Sequence, residues 1–253
     1  TSPRLFVSRL FHTPYIQAST HCELVGVVAR SEGTKAAVAE DLPDVAIVGS
    51  LTELLELGVD AVVISTPPAT RRELALEAIN AGVAVVADKP FAPSAADAME
   101  LVEAAEKAGV LLNVFHNRRN DTHIVTALGI QEELGAMRGL DLRLDLIEPD
   151  SLEAGPEGGL LRDLGSHVVD QTLVLMGPAT SVTAQLGSID LPEGPTNARF
   201  RIVLEHESGA MSHIAASKID RLESWEIRLV GERGSYVSNY TDVQTVAIKQ
   251  GLR

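Results

Sequence analysis

Over the first 118 residues, short apolar runs alternate with longer stretches of mixed polarity. Leu5–Val7, Glu23–Val28, Ala46–Val48, Ala61–Ser65, Ala84–Ala87 and Val110–Phe115 read as strands. Ser8–Ser19, Thr34–Asp41, Leu51–Leu57, Arg71–Asn80 and Ser94–Ala108 read as the intervening helices. Ser50 and Ser94 stand where N-caps are needed, and Gly82 and Gly109 stand where helices stop. Within 61–65 the run Ala61–Ile64 is apolar, as a strand buried on both faces would be. Strands separated by helices at this rhythm predict βαβ units, an α/β fold with a doubly wound parallel (Rossmann) sheet.

After residue 119 the period changes. Asp121–Leu134 reads as a helix, and Arg138–Ile147 alternates apolar and charged residues, the mark of a strand with one wet face. A helix runs from the Gly158-Gly159 turn to Met176 and is closed by Gly177-Pro178. Ser181–Ile189, Ala198–Glu205, Ala210–Ser217, Trp225–Val230, Ser235–Ser238 and Val243–Ile248 follow as strands without helices between them. That order predicts an α+β domain on an open, mainly antiparallel sheet. The expected division is a dinucleotide-binding domain over 1–118 and a substrate and oligomerisation domain over 119–253, with further chain expected after Arg253.

The helix ending at Met176 carries the densest candidate chemistry. Asp163 and His167 are four apart and Asp170 is seven from Asp163, so the three share one stripe. Leu161, Leu164, Val168, Thr172 and Leu175 take the opposite, core-facing side. A carboxylate beside an imidazole suits acid–base work, although a solvated helix face would carry the same residues.

Ligands of parallel α/β sheets sit at the carboxyl ends of the strands, and polar clusters fall there. These are Ala29-Arg30-Ser31, Ser65-Thr66-Pro67-Pro68, Asp88-Lys89-Pro90 and His116-Asn117-Arg118-Arg119. Lys89, next to a rigid proline, is the sharpest of them: either a lysine held toward the crevice or an exposed one beside an exposed Asp. A dinucleotide fold also needs a glycine-rich turn after its first strand, and none stands between Val7 and Ser8. Residues are therefore expected to be absent at that point.

Composition narrows the classes. The 253 residues carry a net charge of -14 and are 45% hydrophobic, with 4% aromatics. An acidic chain poor in aromatics is unsuited to nucleic acid. No apolar run reaches membrane-spanning length. Cys22 is the single cysteine, which favours a reducing, cytoplasmic setting. Asp163 and His167 lack a third ligand at suggestive spacing, so no metal is expected. No Gly-x-Ser-x-Gly elbow supports a hydrolase.

In order along the chain, Thr66-Pro67-Pro68, Asp88-Lys89-Pro90 and the set Gly158, Gly159, Asp163, Gly165, His167 and Asp170 resemble motifs of the Gfo/Idh/MocA family of NAD(P)-dependent oxidoreductases. The family has Glu where Asp88 stands, which leaves the orienting role of that carboxylate open. The resemblance implies hydride transfer between a nicotinamide and a small polyhydroxylated or carbonyl substrate such as a sugar or cyclitol. It implies Lys89 as the active-site lysine, Asp163 and His167 as the catalytic pair, and Thr66–Pro68 lining the nicotinamide ribose. With the other strand-end residues, the expected cofactor set is Arg30, Ser31, Ser65, Thr66, Pro67, Pro68, Asp88, Lys89 and Asn117. An acid after the second strand would favour NAD; Arg30 and Ser31 there favour NADP, with NAD as the alternative. A homodimer or homotetramer is implied as well. A non-catalytic dinucleotide-binding regulator or scaffold on the same fold is the competing reading, and the joint presence of Lys89, Asp163 and His167 favours the enzyme.

Overall fold

A computed structural model describes residues 11–155 and 158–239. The first predicted strand, the missing glycine turn and the strand at 243–248 lie outside the described residues. The chain divides into two units, 1–115 and 116–253.

The first unit contains α1 (Thr13–Ala18), β1 (Gly26–Val28), α2 (Glu32–Asp41), β2 (Ala46–Val48), α3 (Leu51–Leu55), β3 (Ala61–Ile64), α4 (Pro68–Asn80), β4 (Ala84–Asp88), α5 (Ala95–Ala108) and β5 (Leu112–Phe115). All its strand pairs are parallel: β1 with β2, and β3–β4–β5 in that order. The architecture is the expected Rossmann-type α/β sheet. Caps set the helix starts: Ser50 Oγ accepts from Glu53 N and Ser94 Oγ from Asp97 N, and the Glu53 carboxylate in turn accepts from Gly49 N. α4 begins at Pro68, three residues before the sequence pattern placed it, because a proline in the first helical turn forfeits no hydrogen bond.

The core of this unit joins Val62, Ile64, Val85 and Ala87 to Ala75, Ala78 and Ile79 of α4 and to Leu101 and Ala105 of α5. The apolar run of β3 is not buried on both faces: Val62 is 3% exposed and Val63 38%. A continuous apolar run and a one-sided strand differ only in what covers the second face, which the run itself does not encode.

The second unit contains α6 (Thr122–Gly129), α7 (Gln131–Leu134), β6 (Met137–Asp145), α8 (Ser166–Met176), β7 (Ala179–Leu191), β8 (Gly194–His206), β9 (Met211–Ser217), β10 (Ser224–Gly231) and β11 (Ser235–Ser238). The helix expected over 121–134 breaks at Ile130, whose φ of -106° and ψ of 1° leave the helical region. The strands form one sheet in the order β11-β10-β6-β9-β8-β7, antiparallel except for the parallel pair β6–β9.

One face of the sheet buries Leu140, Leu142, Leu144, Phe200, Ile202, Leu204, Ile214, Ile227 and Leu229 beneath Leu164, Val168 and Leu175. A one-residue slip of β8 would expose Phe200, Ile202 and Leu204 at roughly 1.5–3 kcal/mol each, so burial fixes the register. The opposite face is open, with Met211 43% and Val237 66% exposed; Val182 and Leu186 of the edge strand β7, paired with Leu204 and Phe200, share the core side and are exposed there. Among the described residues, no helix is long and apolar enough to cross a membrane.

Candidate active site

The candidate residues fall into one group in each unit. In the first unit, Ser65, Thr66, Pro67 and Pro68 follow β3, and Asp88 and Lys89 close β4. Parallel pairing of β3 with β4 sets Ile64 beside Ala87, which brings the two segments to one edge. A buried arginine then fixes them. Arg71, on the first turn of α4 and 2% exposed, donates from Nη2 to Thr66 O at 2.5 Å. Its Nη1 donates to the carbonyls of Asp88 at 2.5 Å, Phe91 at 3.2 Å and Pro90. Burial pulls the Arg71 guanidinium below the ordinary arginine pKa, and the neighbouring Asp88 carboxylate opposes that effect. The Lys89-Pro90 peptide is cis.

The Asp88 side chain is also committed. His12 Nε2 donates to its Oδ1 at 2.8 Å, with both residues 7% exposed, and the His12 ring lies 4.5 Å from that of Phe115. Here the shorter Asp side chain, where the family carries Glu, has a buried imidazole as its partner. Neither Arg71 nor His12 was identified from the sequence. Arg71 looks like one more charge on a helix surface, and no spacing ties His12 to a residue 76 positions away.

At the end of β1, Arg30 is exposed and Ser31 caps α2: its Oγ accepts from Thr34 N at 3.1 Å and lies 2.8 Å from Thr34 Oγ1. Glu32, in the same first turn, pairs with Lys35 at 2.9 Å, which offsets its charge at that helix end. The Thr66 hydroxyl is buried and, among the described residues, finds no hydrogen-bond partner. A buried hydroxyl in need of a partner at a strand end, and a capped helix start beside an exposed arginine, suit a bound nucleotide. The residues present therefore fit a dinucleotide. Ser65 to Pro68 and Lys89 would hold its nicotinamide side, and Arg30 with the start of α2 its adenosine side.

In the second unit the glycine pair precedes the helix that carries the candidate residues. Gly159 has a φ of +92°, and a Cβ there would come within 2.2 Å of Asn197 Nδ2. The Asn197 carbonyl oxygen accepts from Leu161 N at 2.7 Å, so the tight approach satisfies a helix-start donor. A wide turn over Leu161–Gly165 leads into α8 and carries Asp163. Of the predicted core side, Leu164, Val168, Thr172 and Leu175 are each 4% exposed or less, and Leu161 is partly buried against the same core. The predicted wet stripe is drier than its composition suggested, since His167 is 5% exposed.

Asp170 is engaged elsewhere. Its carboxylate accepts two hydrogen bonds from Arg119, at 2.7 and 2.5 Å, and lies 3.7 Å from His116 Nδ1. Gln171 Nε2 donates to Arg118 O at 2.8 Å, and the Arg118 guanidinium lies 4.6 Å from the centre of the Trp225 ring. Asp170 thus ties down the short turn Asn117–Asn120, which contains the predicted cofactor residue Asn117. Lys218, also missed in the sequence, donates to Asp163 Oδ2 at 2.7 Å. Among the described residues, no group of acidic, His or Cys side chains is arranged to hold a metal ion.

Residues 6–116 match the oxidoreductase family with an NAD-binding Rossmann fold, and residues 131–237 match the GFO/IDH/MocA C-terminal domain. The uncharacterized oxidoreductase YdgJ of Escherichia coli (strain K12) is 32% identical over 98% of this chain and 72% of that protein. The scyllo-inositol 2-dehydrogenase (NADP(+)) IolW of Bacillus subtilis (strain 168) is 31% identical over 70% of this chain and 51% of that protein. The crystal structure of an oxidoreductase from Bacillus cereus superposes with a TM-score of 0.84 at 26% identity, covering 97% of this chain and 71% of that one. The chain belongs to the Gfo/Idh/MocA family. It is an NAD(P)-dependent oxidoreductase.

The Arg71 clasp makes a stability prediction. Arg71→Met leaves four carbonyls without their charged donor and is expected to destabilise the protein by about 3 kcal/mol or more. Arg71→Lys should restore little, because an ammonium does not reproduce the guanidinium fork. Urea unfolding is the measurement, and a wild-type midpoint for either variant would dismiss the clasp.

Proposed function

We propose that this protein interconverts a secondary alcohol and a carbonyl on a small polyhydroxylated substrate, a sugar, cyclitol or derivative, with NADP as the preferred dinucleotide. The observation that carries the reading is a buried imidazole in the second unit, His167, one helical turn from Asp163; in the first unit a strand-end lysine, Lys89, stands in a clasped loop. The name of the relative IolW, a cyclitol dehydrogenase using NADP(+), points the same way. The single, exposed Cys22 accords with a cytoplasmic enzyme.

The bound dinucleotide supplies the hydride acceptor or donor. The chain's own groups handle the proton. In oxidation an imidazole nitrogen of His167 takes the substrate hydroxyl proton, and in reduction it returns it. Asp163 orients and charge-balances that imidazole. The Lys89 ammonium polarises the reacting oxygen and stabilises the negative charge that develops on it. Thr66, Pro67 and Pro68 line the nicotinamide ribose, Ser65, Asp88 and Asn117 complete that side, and Arg30 with Ser31 takes the 2′-phosphate. The Ser31 hydroxyl already caps α2, so Arg30 carries most of this preference.

Lys89→Met and His167→Ala are each expected to lower kcat by roughly 10²–10⁴-fold while leaving the protein folded, and His167→Ala should leave dinucleotide binding near wild type. Turnover would be read with NADP+ against a panel of polyols and aldoses, and an unchanged rate in either variant removes that residue from the mechanism.

For the cofactor, NADPH should raise the Tm more than NADH at equal concentration. A ligand at 100 times its Kd adds about 2.7 kcal/mol, and Arg30→Ala should abolish the difference. A larger shift with NADH would overturn the NADP assignment.

We also propose a homodimer or homotetramer formed through the open face of the six-stranded sheet. The exposed Met211 and Val237 on that face support it. Light scattering at micromolar concentration should return a multiple of the 26.9 kDa chain mass, and a monomer would refute it.

A further inference from the structure

Lys218 is the residue immediately after β9, and it is 4% exposed. Burying an ammonium costs several kcal/mol unless partners surround it, so its neighbours are informative. Nζ donates to Asp163 Oδ2 and to Ser151 Oγ, both at 2.7 Å, and lies 3.8 Å from Glu148 Oε2. The one parallel pair of the sheet among the described residues explains the meeting. Because β6 and β9 run the same way, with Asp145 beside Ser217, the segments leaving both strands emerge on one edge. Glu148 and Ser151 arrive from β6 and Lys218 from β9. Leu146 N donates to Ser217 O at 2.9 Å and Lys218 N to Ala198 O at 3.0 Å, which holds both exits.

Asp163 contacts this buried cation through one carboxylate oxygen, yet its side chain is 39% exposed. Other charged groups near it are Arg162 on the same turn, His167 one turn on, and Glu148 across Lys218; β8, packed against this turn, contributes the neutral Asn197. We propose that Lys218 is a positioning residue for Asp163: it fixes the orientation of that carboxylate, so that Asp163 can orient His167. This rests on the acid–base reading of Asp163 and His167 above. Lys218 acts through Asp163 and is not assigned a contact with substrate or cofactor.

The test titrates the Asp163 carboxyl by ¹³C NMR in the full chain, with the resonance assigned by its loss in Asp163→Asn. In Lys218→Met the midpoint should rise by about one pH unit, because an adjacent cation favours the carboxylate. The acid limb of the kcat/KM profile for polyol oxidation should move the same way, and kcat should fall about 10- to 100-fold with KM little changed. Lys218→Arg, which keeps the charge, should hold the midpoint near wild type. If Lys218→Met does not fold, Ser151→Ala takes its place. It removes one close acceptor and leaves the ammonium, and it should lower kcat with KM little changed. An unmoved midpoint in folded Lys218→Met, or an unchanged kcat in Ser151→Ala, overturns the proposal. If instead Asp163→Asn turns over normally, the acid–base reading fails, while the titration still reports on Lys218.

Discussion

Each unit of this protein holds its candidate functional segment with a buried cation that must find its partners inside the fold. In the first, the Arg71 guanidinium gathers the carbonyls of Thr66, Asp88, Pro90 and Phe91. In the second, the Lys218 ammonium gathers Asp163 and Ser151. A buried charge left unsatisfied costs more than most single contacts return, so the surrounding loops have little freedom to rearrange. The difference in chemistry suits the task. A planar fork with several donors can bridge two loops through backbone carbonyls, whereas an ammonium is a compact charge suited to one carboxylate and one hydroxyl.

Both clusters depend on parallel strands. Parallel pairing of β3 with β4 puts Thr66 and Asp88 at one edge, and the parallel pair β6–β9 does the same for Glu148, Ser151 and Lys218. In the second unit that pair is the exception in an otherwise antiparallel sheet. An antiparallel neighbour would have carried Lys218 to the opposite end of β6. The anchoring of Asp163 is therefore a consequence of topology as much as of side-chain choice.

The motif that announces the family is divided among different physical tasks. Gly159 is required by its positive φ and by the close approach of Asn197. Asp163 meets a buried lysine. Asp170, although it shares a helical stripe with Asp163 and His167, spends its carboxylate on Arg119 and so secures the turn after β5. A conformational need, a charged contact and a tether look alike in a motif, where each is one letter.

What the sequence determined by itself was whatever is encoded over a few residues: alternation, caps, glycine stops and motif spacing. Serines 50 and 94 cap the helices they precede, Gly82 and Gly109 end theirs, and the two-residue period of β8 buries Phe200, Ile202 and Leu204. These local rules sufficed for the fold class, whereas the oxidoreductase family came from the resemblance of three motifs and is shown by the family matches. Tertiary structure alone decided which faces are covered and which distant charges meet. Val63 is partly exposed within an apolar run, His12 finds Asp88, Arg71 turns from a helix surface into the interior, and Lys218 reaches Asp163 across 55 residues. The reason is physical: periodicity is set by the backbone geometry of one element, whereas the partner of a buried charge is set by how separate elements pack, and no local pattern carries that information.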